Sequence, residues 1–518
     1  MKNFIVLLLL LFSINLFSQE DKILTNKQIK EDYGYFVNIL KDVNPQLCIR
    51  KYIYNQDIIN DIEKLAQNQI DTIESLDEFY FFLYKAINLC SDQHLRLTIP
   101  NETEIIEFDT SIQIADIKLN REIKKNALRK FNIGTAIPYL SYNNGNYYFL
   151  QEIKFYSKSR VENKKLIFDY TDTIFAGSKL THINNIEIDE YIMKYSRFYD
   201  NSLRWDKNMN KFYSYYVFGD LNKKNDIYTI EYQNIPKEVK RQNIAIDGGG
   251  NTDKEEGNAF LLCKNILYIR IPEMNYQCLN SIQKDLKKIK KGKNLEAVII
   301  DVRGNIGGSD LVWMELLSDI INEEIIEVNV KLASKKSKES KEYIKSIFSI
   351  SNIEQFAEDN SIFICEDTMF NTIYGNNISI EPSEQTIKHS GKIFILKDFF
   401  SYSSALSLVS FTSNNNLKER FKVVGTYTEL FGGRGFDPAL FILPNSRIIF
   451  QIEPVIDVTN IKNMEDILQD IVDIEVNQNL EDWINEINYK GKRYGKKYLL
   501  NNDSYIREIL NYLSKIDE

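Results

Sequence analysis

Cysteine is sparse and without pattern in this 518-residue chain. Cys48, Cys90, Cys263, Cys278 and Cys365 are scattered with no CxxC pair, so neither a zinc site nor a disulfide framework can be read from them. The odd count leaves at least one thiol free. Positive charge is also short: 64 Lys and Arg face 73 Asp and Glu, and a formal net charge of -9 argues against a nucleic-acid partner. The one basic run, residues 331–345, is interrupted by Glu339 and Glu342 and reads as a solvated face. Beyond the N-terminus no stretch of about 18 apolar residues occurs, so no membrane span is expected. Internal repeats and low-complexity tracts are absent, and so are GxGxxG spacing and a Walker lysine. No nucleotide cofactor, and no other cofactor or metal, is therefore expected.

What is present begins with Met1 and Lys2, an apolar run over residues 4–12, and a segment ending in the small Ser18 before Gln19. That is the pattern of a secretory signal peptide over residues 1–18. Its end contains no cysteine, so no lipid anchor is expected, and the product is expected to be periplasmic or secreted.

Hydrophobic residues make up 43% of the chain, enough for several cores, and a prior of about 100–200 residues per domain suggests three. Residues 20–99 carry apolar positions three and four apart, as in Ile29, Tyr33, Phe36 and Leu40, and read as a helical domain interrupted at Asn44-Pro45. Residues 100–244 turn to short β-prone runs, with an Asn143-Asn144-Gly145 turn, and read as a β-rich domain. The polar, glycine-rich 245–258 reads as a linker. Residues 259–518 alternate buried strands with helices and end in terminal helices from Leu480, an α/β core. The fold class is thus multi-domain α/β.

Two segments carry chemistry. The run 297–309 is a strand, a glycine turn at Gly307-Gly308 and the start of a helix, whose amides face whatever negative charge lies there. The strand 393–396 leads through the turn 397–402 to Ser403-Ser404-Ala405, which opens a second helix. A serine there sits where free first-turn amides stabilise an alkoxide or an adjacent oxyanion. If the two strands are parallel neighbours, both turns lie at the carboxyl edge of one sheet, where ligands bind. Taken alone, the same residues also read as helix caps and a tight turn.

Asp301-x-Arg303-x-Asn305-x-Gly307-Gly308 resembles a segment of the C-terminal-processing (tail-specific) serine peptidases. Tyr402-Ser403-Ser404-Ala405 resembles that family's nucleophile motif, and 423–428 with Gly432-Gly433 resembles its Val-Gly-Glu-x-Thr-x-Gly segment. Asp92-Gln93-His94 is similar to its Asp-Gly-His-Thr, and 176–185 to a stretch of its PDZ-like middle domain. The five matches occur in the family's order. Departures are Leu406 and Thr426 where the family usually has Glu, and Gln93 and Asn185 where Gly is common.

The resemblance implies a Clp/crotonase-like catalytic core acting on a peptide or protein substrate, with Ser403 as nucleophile and an oxyanion hole built from the N–H of Gly307 or Gly308 plus that of Ser404. No lysine lies between Val423 and Asn460, which disfavours the branch that activates serine with lysine. His94 instead occupies the place of the histidine in the tricorn and interphotoreceptor retinoid-binding-protein type of core, with an inflection expected near the ordinary imidazole pKa of about 6.5. His182 and His389 are expected at the surface. Asp92, Glu429 and Glu453 are candidates to orient His94. Two further readings stay open on the sequence: a non-catalytic peptide- or ligand-binding protein that keeps the fold, and a hydrolase of another acyl substrate.

Overall fold

The structure is a computed structural model and describes residues 24–100, 112–131, 136–162, 165–201, 203–206, 208–218, 226–240, 243–245, 257–263, 265–289, 295–327, 331–348, 370–374, 378–413, 416–426, 438–459 and 471–516. The signal peptide reading (1–18) and residues 246–256 of the linker reading lie outside these. So do Glu429, Gly432, Gly433 and Cys365.

The N-terminal region is helical because its apolar residues repeat at helical spacing and its starts are capped. Asn26–Val43 begins with a capping box between Thr25 and Gln28 and buries Ile29, Phe36, Val37 and Leu40. Leu76–Leu89, capped by the Ser75 hydroxyl, buries Phe79, Phe82, Leu83 and Ile87 against it. Gln46–Tyr54 and Ile58–Gln69 complete the cluster. The boundary expected at residue 100 is corrected: Ile114–Lys130 is a helix whose Ile123 and Ala127 join the same core. Ile117, Asn120, Ile123 and Ala127 are buried at spacings of three and four, and this helical pattern outweighs the β-prone residues around them.

That core is closed by the distant chain segment around residue 450. Leu443, Ile448, Phe450 and Ile452 are buried in it, with the Phe36 and Phe450 rings 5.3 Å apart. Asp32, fully buried in the first helix, accepts hydrogen bonds from the backbone N–H of Asn445 at 2.8 Å and of Ser446 at 2.7 Å.

The β-rich middle region holds an antiparallel sheet in the order Ile235–Lys240, Ile227–Tyr232, Lys179–Ile183, Asn146–Phe149, Leu140–Asn143, with Ile186–Glu187 also paired to Lys179–Ile183. The long hairpin Ile153–Glu162 and Lys165–Ile174 is flanked by Asn243–Ala245. The hairpin turn read at Asn144-Gly145 is there, with φ of 44° and 81°, as a two-residue turn between strands requires.

The C-terminal core is a six-stranded sheet in the order Asn258–Leu261, Ile266–Arg270, Ala297–Asp301, Lys392–Lys397, Phe421–Gly425, Ile474–Glu475. All pairs are parallel except the first. Its strands are continuous apolar runs because both faces are covered. On one face Trp313 and Phe411 belong to the helices Asp310–Ser318 and Ser404–Thr412. On the other, Tyr498, Ile506 and Ile509 of the terminal helices Lys496–Asn501 and Ser504–Ile516 pack on Tyr268, Phe394 and Val424.

The lysine-rich 331–345 is more than a solvated face. Its strand Lys331–Lys335 buries Leu332, Ala333 and Ser334, and Val455–Asp457 pairs with it. Among the described residues no helix is long and apolar enough to cross a membrane. Cys90, Cys263 and Cys278 carry free thiols.

Asp32→Ala leaves two backbone N–H groups without an acceptor where the helical region meets the 445–448 turn. Each such loss costs about 1–3 kcal/mol. A fall in the denaturation midpoint with an unchanged m-value is the expected result, and an unshifted midpoint would show that the two regions are held together without this contact.

Candidate active site

The two strand–turn–helix segments are neighbours, as the parallel pairing of Ala297–Asp301 with Lys392–Lys397 requires. Their turns meet at the carboxyl edge of the sheet. Asp301 sits there fully buried, accepting from the Tyr268 hydroxyl at 2.6 Å and from Arg303 Nη2 at 2.6 Å. Arg303 in turn donates to Asp503 at 2.9 Å, tying the terminal helix to the strand end. Burial pushes the Asp301 carboxyl up, but the guanidinium groups of Arg303 and Arg270 outweigh it and hold the carboxyl below its usual range.

Asn305 is the hub between the turns. Its side chain donates to Ile271 O at 2.9 Å and accepts from the Gly307 N–H at 2.8 Å, and its carbonyl accepts from the Tyr402 N–H at 2.9 Å. One buried amide thus fixes three chain segments at once. Asp398 organises the other turn, accepting from the N–H of Gly304, Phe400 and Ser401.

Ser403 follows as the residue before the helix Ser404–Thr412, with φ of 53° and ψ of -126°. A non-glycine residue in that region is strained, by about 1–3 kcal/mol. The strain aims the side chain out of the turn toward the Gly307-Gly308 segment. A Cβ on Gly307 would lie 2.5 Å from Ser403 Cβ and 3.0 Å from its Oγ, and Gly307 has φ of 107°. A Cβ on Gly308 would lie 2.2 Å from Met274 O. Both positions need glycine.

Of the amides read as oxyanion donors, that of Gly307 is engaged by Asn305. The N–H groups of Gly308 and Ser404 have no partner among the described residues, and Ser404 N lies 3.1 Å from where a Gly307 Cβ would be. Of the two glycine amides, that of Gly308 is thus the one without a hydrogen-bond partner among the described residues.

His94 arrives from the helical region. The short strand Arg96–Leu97 pairs antiparallel with Ile449–Ile452, Arg96 opposite Gln451 and Leu97 opposite Phe450. Two residues further along, this register sets His94 opposite Glu453, and His94 Nδ1 hydrogen-bonds Glu453 Oε2. The Glu453 side chain is buried at 1% exposure and that of His94 is at 14%. Asp92 accepts from the His94 backbone N–H at 2.9 Å and from Asn44 Nδ2 at 3.2 Å, so it fixes the loop and leaves the ring to Glu453. The His94 ring lies against that of Tyr402, centroids 4.8 Å apart, next to Ser403. Among the described residues no hydrogen bond joins the Ser403 hydroxyl to His94. Burial pushes the His94 pKa down, yet the Glu453 charge and hydrogen bond, with Asp92, leave it above the usual imidazole value.

The other histidines are elsewhere. His182 lies on a middle-region strand beside Thr181 Oγ1. His389, expected at the surface, is buried: its Nε2 meets Lys392 O at 3.0 Å at the opposite end of the strand from Ser403. Leu406 is buried in the sheet–helix core, in the first turn of the helix. Among the described residues no group of His, Cys, Asp and Glu could hold a metal.

Residues 265–472 match the sequence model of Peptidase family S41. The chain is similar in structure to mature CPAF, with TM-score 0.50 and 13% identity over 95% of this chain and 98% of that one. It is also similar to the photosystem II D1 C-terminal processing protease, at 0.37 and 9% over 90% and 98%, and to the tricorn protease, at 0.27 and 12% over 86% and 37%. At these identities the first likeness speaks for the fold alone. Among curated proteins none matches this sequence.

Gly307→Ala places a methyl group against Ser403 in a backbone conformation alanine rarely adopts. The expected outcome is a lower melting temperature together with slowed labelling of Ser403 by a fluorophosphonate. Unchanged values of both would show that the two turns have room for the added methyl group.

Proposed function

We infer from the Peptidase family S41 domain of this chain, a serine-type peptidase, that it hydrolyses peptide bonds through an acyl-enzyme on Ser403, with His94 as general base and Glu453 as its orienting carboxylate. The observation that carries this reading is the His94–Glu453 pair lying against Tyr402, the residue before Ser403. In the neutral imidazole, an Nδ1–H donated to Glu453 leaves the Nε2 lone pair as the proton acceptor. Ser403 Oγ then attacks the scissile carbonyl carbon as its proton passes to Nε2. The carbonyl oxygen becomes an oxyanion held by the N–H of Gly308 and Ser404, each such donor contributing about 10²–10³ in rate. Collapse breaks the C–N bond, and imidazolium gives its proton to the leaving amine. Water, deprotonated by the same nitrogen, hydrolyses the ester.

The branch of the family that uses lysine has no counterpart residue here, while the Asp-x-His segment supplies a base with a partner. The reading also takes the protein as exported through residues 1–18, to the periplasm or beyond the cell. The PDZ-like middle region contributes to holding the substrate. A mature N-terminus at Gln19 in protein recovered from outside the cytoplasm is the result expected of export.

Fluorophosphonate should label Ser403 in the wild type and spare Ser403→Ala. His94→Ala should lower kcat/KM by the about 10²–10⁴ typical of a lost general base, and His182→Ala should be nearly silent. His94 must be neutral to work, and its pKa is raised, so kcat/KM should climb with pH through an inflection above the about 6.5 of an ordinary imidazole and then level off. Glu453→Gln removes the charge that raises it. The inflection should move to lower pH while the plateau falls. A profile with the same inflection in both proteins would remove Glu453 from this role.

A further inference from the structure

A cavity of about 390 Å³ lies between the middle region and the C-terminal core, away from the Ser403–His94 pair, and no step of the mechanism uses it. It opens beside the nucleophile-bearing turn. Thr426, at its floor, follows the strand Phe421–Gly425, whose Gly425 is paired with Lys397. Tyr213, in its wall, has its ring 5.9 Å from that of Phe399 in the 398–402 turn. Its size falls within the range of small ligand pockets, about 300–1,000 Å³.

Its chemistry is one-sided. Four aromatic rings line it, Tyr142, Trp205, Tyr213 and Trp483, with the carboxylates of Asp206 and Glu475, and the other polar lining groups are amides and the Thr426 hydroxyl. Among the described residues no lysine or arginine lines it. Lys211 is the nearby cation over the Tyr142 ring, and it is already paired with Asp189 at 2.6 Å and donates to Gly145 O. Aromatic faces and carboxylates together attract cations and disfavour anions.

We propose that this cavity is a substrate subsite that takes a peptide segment bearing a lysine or arginine side chain. The cationic head sits among the aromatic rings and reaches Glu475 and Asp206. Asp206 already accepts from the Tyr142 hydroxyl at 2.6 Å and from the N–H of Asn208 and Met209. Glu475 is therefore the carboxylate with more capacity for the incoming cation. The subsite deepens the peptidase reading and rests on it for its purpose, though its ligand chemistry stands by itself.

Binding can be read without turnover. Two of the three tryptophans of the chain line the cavity, and the third, Trp313, is buried in the core. The full mature chain carrying Ser403→Ala would be titrated with otherwise identical short blocked peptides that contain lysine, arginine, norleucine or glutamate, following tryptophan fluorescence. Lysine and arginine peptides should give a saturable change, with norleucine and glutamate at least about tenfold weaker. Glu475→Gln should weaken the lysine peptide by a similar factor and leave norleucine unchanged. Equal affinity for norleucine and lysine overturns the proposal, and so does an unaltered lysine affinity in Glu475→Gln. A neutral oligosaccharide producing the saturable change in place of the peptides overturns it too. Fluorophosphonate labelling of the wild type separates this from the peptidase reading: labelling without peptide discrimination sinks only the subsite, and discrimination without labelling sinks only the chemistry.

Discussion

A pairing of two residues against a strand more than three hundred positions away governs the arrangement of the site. Arg96–Leu97 and Ile449–Ile452 form an antiparallel ladder, and antiparallel register is all-or-nothing: a slip by one residue turns every side chain to the opposite face. In the register present, Leu97 and Phe450 contribute to the helical core while His94 and Glu453 meet at its end. The core thus selects the register, and the register brings the His94 ring to the Glu453 carboxylate. So short a ladder is not stable alone. It is held by what flanks it, the buried Phe36 and Phe450 rings on one side and the Asp32 acceptor of the 445–446 amides on the other.

The same dependence explains what could be read from the sequence. Ser403 and the glycine pair were legible because strand, turn and helix are contiguous, and local order is enough to place a residue at the edge of a parallel sheet. His94 was legible through its motif. Glu453 stood among three candidates and could not be chosen, since the choice is made by a register that no local pattern encodes. The engagement of the Gly307 amide was equally hidden: it depends on the side-chain orientation of Asn305, two residues before it. The helix Ile114–Lys130 is a different case. Its apolar spacing was available, and the β-prone character of the surrounding region masked it.

Two kinds of buried charge coexist at the sheet edge, and they behave differently. Asp301 is enclosed by Arg303, Arg270 and the Tyr268 hydroxyl, with Arg303 also bound to Asp503. Removing one member of such a cluster leaves an uncompensated charge, which costs about 3–5 kcal/mol. This cluster stays ionised and anchors the end of the strand. The His94–Glu453 pair has one partner that can change its charge near neutral pH. Glu453 is buried and His94 keeps some exposure, so a proton can reach the imidazole while the carboxylate stays fixed. A rigid ion cluster and a titratable pair are thus kept apart, and protonation at the second does not loosen the first.

The middle region meets the turn before Ser403 through aromatic rings, with the Arg204 guanidinium also over Phe399. Tyr215 stacks on Phe399 at 4.7 Å and meets Phe400 edge-on at 4.2 Å, both within the turn that precedes Ser403. Aromatic pairs contribute about 0.5–1.5 kcal/mol each beyond the area they bury, and they hold position without fixing one hydrogen-bond geometry. That suits a contact between the middle region and a turn that holds Ser403 at a positive φ. Stacked rings can slide by a fraction of an ångström and keep most of their attraction, so the strained φ at Ser403 is buffered from movement in the neighbouring sheet.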